Sequence, residues 1–155
     1  MSDTSKPAAP SAATPAVFAD CVNKIEAAYE YMLAYAAQGR DREPTGGGAG
    51  PSIRTFLVEL EYGLIHLTSA SRMTMADLQA PVEALQALEA FSDQLEADAG
   101  RALTVLQVVL TAPMLSSQLI DNLNASAHLR CLLTDIFVLD EAIQMHLRAA
   151  LAHKA

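Results

Sequence analysis

Apolar residues recur every three or four positions through four stretches of this chain, and proline, glycine or serine punctuates the gaps between them, a pattern that fits helices and leaves little room for strands. The first stripe runs through Phe18, Cys21, Val22, Ile25, Tyr29, Met32, Leu33 and Ala36. The second uses Leu57, Leu60, Leu64 and Leu67. The third extends from Leu78 and Val82 through Leu85, Leu88, Leu95, Ala99, Leu103 and Leu106 to Leu110, and the fourth through Leu129, Leu132, Ile136, Leu139, Ile143 and Leu147. Helices are therefore predicted over residues 16–39, 52–71, 75–111 and 116–153. Gly39 is the expected stop of the first helix and Ser52 the expected cap of the second. Thr74 followed by Asp77 resembles a capping box for the third, Pro81 is expected near its first turn, and Gly100 is a possible kink. Ala and Leu dominate an apolar content of 52%, and Trp is absent, which suits closely packed helices.

Residues 1–15 are rich in Pro, Ala, Ser and Thr, with too few large apolar groups to fold, and are expected to form a disordered tail. Residues 40–51, with their glycines and prolines, are expected to be a flexible connection. Short breaks at 72–75 and 112–115 favour antiparallel neighbours. The expected fold is thus all-α, an up-down-up-down antiparallel four-helix bundle over residues 16–155 with a long C-terminal helical hairpin. A helix of about 36 residues spans about 54 Å, so that hairpin is expected to project beyond the first two helices. Its tip carries more apolar side chains than one partner helix can cover. Val105, Val108, Val109, Met114, Leu115 and Leu119 are the expected contact with a second copy or another protein, a two-fold homodimer being the commonest arrangement.

The formal charge is −8, and no cluster of Lys or Arg interrupts it, which argues against nucleic acid or an anionic membrane as partner. Residues 75–98 hold six acids and no base, the composition of a solvated face. Cys21 and Cys131 lie far apart and read as small buried hydrophobes in a reducing compartment. No signal peptide or membrane-length apolar run is visible, so a cytoplasmic location is the expectation.

Against this background Glu26, Glu61, Glu89 and Asp140 fall on or beside the apolar stripes. A charge there needs a partner or a proton. Counting from the turns at about 1.5 Å per residue brings the four to comparable heights, so they could share one layer. A bundle with an inward acid from each helix resembles the ferritin-like di-iron class. The resemblance implies Glu26, Glu61, Glu89 and Asp140 as ligands for iron or another divalent metal. It departs from that class where the two Glu-x-x-His pairs should stand: Leu64 follows Glu61 by three positions, and Ile143 follows Asp140. The resemblance is therefore to a degenerate member. Without metal, Arg54 or Arg40 could neutralise the acids in a buried network.

Elsewhere, Glu59, Tyr62 and His66 share an outer helical side, as do His128, Asp135 and His146, although about 27 Å of helix separates the two histidines. No nucleophile elbow, phosphate loop or dinucleotide fingerprint occurs. The chain reads as a non-enzymatic helical bundle acting through self-association or a protein partner. The alternative is a degenerate ferritin-like metal-binding protein using the carboxylate layer.

Overall fold

A computed structural model describes residues 13–154 apart from 47 and 49. The chain is all-α, with helices α1 (Ala13–Ala36), α2 (Ile53–Ala76), α3 (Val82–Leu110), α4 (Ser117–Ala125) and α5 (Ala127–Ala152). No strand occurs among the described residues. The expected tail lies outside the described residues up to residue 12, and α1 takes in its last three positions.

Helix α1 buries Phe18, Cys21, Ile25, Ala28, Met32 and Tyr35, the face that its spacing predicts. The helix ends at Ala36, and Gly39 turns the chain away with a φ of 61°, a conformation glycine adopts without a Cβ clash. At the start of α2 the Ser52 hydroxyl accepts from the Thr55 amide at 3.2 Å, and the Thr55 hydroxyl accepts from the Ser52 amide at 3.4 Å. These reciprocal bonds satisfy backbone donors that the first turn leaves free.

Helix α2 continues to Ala76, beyond the expected end, and Thr74 is a residue of its last turn whose hydroxyl donates to the Ala70 carbonyl at 3.0 Å. Thr74 is therefore not the cap of the next helix. That helix starts only after Pro81. Proline disfavours helical backbone in the residue before it and supplies no amide hydrogen, so a start at 75 is blocked. Gly100 lies within an unbroken α3.

Helices α1 and α2 run antiparallel, as do α2 and α3. Along α1 and α2, Lys24 pairs with Glu59 at 2.9 Å, and the rings of Tyr31 and Phe56 stack with centroids 4.1 Å apart. Between α2 and α3, Arg72 meets Asp93 and Glu96 near one end, and Arg54 donates to the Ala112 carbonyl just beyond the other. At Gly63 helices α1 and α2 approach closely: a Cβ there would lie 2.7 Å from Ile25 Cγ1 and 3.1 Å from the Cys21 carbonyl.

The final helix expected over 116–153 divides. Ser126, with ψ of 122°, separates α4 from α5. Asn124 and Ser126 are residues whose side chains compete for backbone hydrogen bonds and so tolerate a break. The division lets α4 pack on α1, while α5 packs chiefly on α3. Ile120, Leu129, Leu132, Ile136, Leu139 and Ile143 close the core from this side.

The connection after α1 is held at Arg40 and Glu43. Glu43 Oε1 and Arg54 Nε lie 2.7 Å apart, and Arg54 Nη2 reaches both Glu43 Oε2 at 3.1 Å and the Ala112 carbonyl at 2.9 Å. The Leu115 amide donates to Glu43 Oε2 at 3.3 Å, and the Tyr35 hydroxyl donates to the Leu115 carbonyl at 2.7 Å. Ser117 completes the clasp, donating from its hydroxyl to the Tyr35 carbonyl at 2.7 Å while accepting from the Arg40 amide at 2.8 Å. The α3–α4 turn is thereby level with the start of α2. It does not project beyond the earlier helices at this end.

Two stability measurements check this packing. Gly63→Ala is expected to lose about 1 kcal/mol in denaturant unfolding, because overpacking against a fixed carbonyl outweighs the helical gain of alanine. Glu43→Ala is expected to cost about 1–2 kcal/mol, since it removes two hydrogen-bonded partners from a pair that is only partly screened by solvent.

Candidate interaction surface

Residues 102–120 contain no Asp, Glu, Lys, Arg or His. They form the last turns of α3, the turn held by the clasp and the first turn of α4. Within α3 the inward side chains are Ala102, Leu106 and Val109, all buried. The positions between them turn outward, because a residue two places along a helix lies on a different side. Val108 is 68% exposed, and Met114 in the turn is 54% exposed.

Val105, Val108 and Val109 recur at helical spacing and line a cleft of about 370 Å³ with Leu119 and Leu123 of α4, Thr104 and Asn122 completing the lining. The two polar side chains have partners of their own. The Thr104 hydroxyl donates to the Gly100 carbonyl at 3.0 Å, and Asn122 Oδ1 accepts from Gln118 at 3.2 Å. What the cleft offers is apolar surface and shape, and its lining carries no charged side chain.

The expected contact residues therefore separate into two groups. Val108 and Met114 are exposed, while Val105 and Leu119 are half-buried. Val109, which lines the cleft, and Leu115 are both buried in their own chain. Leu115 is drawn inward by the bonds its backbone makes to Tyr35 and Glu43.

Glu26, Glu61 and Asp140 are half-buried, and Glu89 is exposed, so full burial of Glu61 and Glu89 is not observed. For Glu89 the cause is the start of α3. Residues before Pro81 do not belong to that helix and Val82 is 65% exposed, so Leu78 and Val82 do not define its inner side. The side set by Leu88, Leu95, Ala99 and Leu106 lies about 100° away from Glu89. Glu61 accepts from Gln107 Nε2 at 3.4 Å, a bond between half-exposed groups at the edge of the α2–α3 contact. No group of three or more His, Cys, Asp or Glu side chains is arranged to hold a metal ion among the described residues. Arg54 is committed to Glu43, and Arg40 Nε donates to Gln38 Oε1 at 2.5 Å, so these arginines serve the clasp region rather than the acids on the stripes.

The outer cluster on α2 is present. The Tyr62 and His66 rings lie 4.3 Å apart, and Lys24 Nζ, which pairs with Glu59, sits 5.7 Å from the Tyr62 centroid. His128 is exposed and His146 half-buried. Cys21 is buried, and burial followed by the Asp20 charge pushes its thiol above the ordinary range. Cys131 is exposed, contrary to the expectation of a buried position, because it turns away from the α3–α5 contact.

One acidic pair had not been expected. The Asp135 carboxyl of α5 is held above the usual carboxylate range by burial first and then by Asp98 of α3, with Gln94 acting the other way. Helical phase gives a partial signal for it, since Leu132, Ile136 and Leu139 flank Asp135 on the same side. The pairing itself joins residues too distant in sequence for spacing to reveal.

No protein-family model, curated protein or solved structure matches this chain significantly.

Proposed function

We propose that this protein is a non-enzymatic helical bundle that works by self-association, with the uncharged face of α3 and α4 as its contact. In this reading the helices form an up-down-up-down antiparallel bundle whose fourth member is broken at Ser126. The observation that carries the reading is the exposure of Val108 and Met114 within residues 102–120, a stretch free of charge in a chain of formal charge −8. Two copies of an acidic protein repel wherever their charged faces meet, and the repulsion is least across a face that bears none. A two-fold contact also places Val108 of each copy near the same apolar cleft of the other, so one surface serves both sides. Burying an exposed valine contributes about 1.5–3 kcal/mol when it is fully removed from water.

Among the described residues no helix is long and apolar enough to cross a membrane. The two free thiols, one of them exposed, suit a reducing compartment, and the cytoplasm is the location this reading takes.

Sedimentation velocity tests the proposal. The native chain is expected to sediment as two copies and Val108→Asp as one, with helical circular dichroism unchanged because Val108 is on the surface. Equal masses for the two would overturn it.

A further inference from the structure

Met73, Met114 and Met145 are 54%, 54% and 56% exposed, whereas Met32 is buried and Met75 half-buried. Access to solvent therefore does not single out one of the three, but their surroundings do. Met73 follows Arg72, which pairs with Asp93 and Glu96, and Met145 shares a side of α5 with the pair Glu141 and Arg148. Both stand beside charged groups. Met114 stands in the stretch 102–120 that holds no charge, in the turn between α3 and α4. The backbone is fixed on either side of it: the Ala112 carbonyl accepts from Arg54 at 2.9 Å, and the Leu115 amide donates to Glu43 at 3.3 Å. With Leu115 buried, this turn holds the Met114 side chain outside.

We propose that Met114 is an oxidation site that controls the pairing of two copies through the uncharged face, an inference that rests on the self-association reading above. In the thioether form the side chain adds apolar, polarisable surface to the contact. Hydrogen peroxide converts it to the sulfoxide. A sulfur lone pair attacks one peroxide oxygen, and the O–O bond breaks as the S–O bond forms. The proton on the transferred oxygen passes to the departing hydroxide, which leaves as water. Sulfur gives up two electrons, and the peroxide takes them.

The sulfoxide oxygen is a hydrogen-bond acceptor that water satisfies. Pressing it against valine and leucine removes those bonds and replaces few of them, since the cleft carries no charged side chain and its Thr104 hydroxyl already donates to Gly100. The reaction takes place on the separate copy, where Met114 is exposed. Its product pairs poorly, so oxidation draws the equilibrium toward single copies. At Met73 and Met145 the sulfoxide stays in water whether or not the uncharged faces meet, and pairing is unchanged.

The test is sedimentation velocity of the native chain, Met114→Leu and Met114→Gln before and after hydrogen peroxide, with peptide mass mapping of each methionine. Peroxide is kept to doses that leave helical circular dichroism unchanged, so that Met32 in the core is not the cause of any separation. A thiol reductant added afterwards reopens disulfides made through the exposed Cys131 and leaves the sulfoxide in place. The native chain is expected to pair before oxidation and to separate as Met114 gains its oxygen, the dissociation constant rising about tenfold or more. Met114→Leu is expected to stay paired while Met73 and Met145 oxidise. Met114→Gln, polar without any oxidant, is expected to pair as weakly as the oxidised native chain. Pairing that survives full oxidation of Met114, native-like pairing of Met114→Gln, or separation of Met114→Leu under the same treatment overturns this inference alone. A native chain that is single before any oxidant is added overturns the self-association reading and this inference with it.

Discussion

The contact between Glu43 and Arg54 joins parts of the chain that the sequence keeps apart: the glycine-rich connection, the first turn of α2 and the turn between α3 and α4. Each charge makes more than one bond. Arg54 fills a free carbonyl just past the end of α3, and Glu43 accepts the Leu115 amide, so backbone groups without helical partners are satisfied by the same ion pair that fixes the connection. Tyr35 and Ser117 extend the clasp to the end of α1. Its consequence is geometric. Leu115 is drawn into the core, Val108 and Met114 remain outside, and the uncharged face is held on a fixed backbone.

The α4–α5 junction is less completely satisfied. Asn124 is buried just before the break at Ser126, and neither atom of its amide has a hydrogen-bond partner among the described residues. An unpartnered buried amide costs about 1–3 kcal/mol, which makes the α4–α5 junction a local weak point. Asp135 Oδ2, on α5, is a third unpartnered polar atom among the described residues. The clasp stabilises the end of the fold where α1, α2 and the α3–α4 turn meet.

Much of the fold can be read from the chain because most of its information is periodic. The faces of α1 and α2, the Ser52 cap and the all-helical class follow from spacing and local chemistry. The departures arise where a non-local or stereochemical effect competes with that period. Pro81 delays α3 and so changes which side of it is inward, which moves Glu89 into solvent. Ser126 interrupts a pattern that otherwise continues, because division lets α4 follow α1 while α5 follows α3. Glycines mark residues 40–51 as a connection, but nothing local reveals that Glu43 will meet Arg54. The uncharged face was legible in part: its apolar excess is visible in the sequence, but inward Val109 and Leu115 and outward Val108 and Met114 have similar side chains, and only the clasp and helix phase distinguish them.

Self-association through α3 and α4 is most directly tested by oxidative cross-linking of Val108→Cys in a Cys131→Ser background, with Val58→Cys on the exposed side of α2 as the comparison. A two-fold contact at the uncharged face requires a covalent dimer at position 108 and none at 58. Absence of a dimer at 108, or equal yields at both positions, would contradict it.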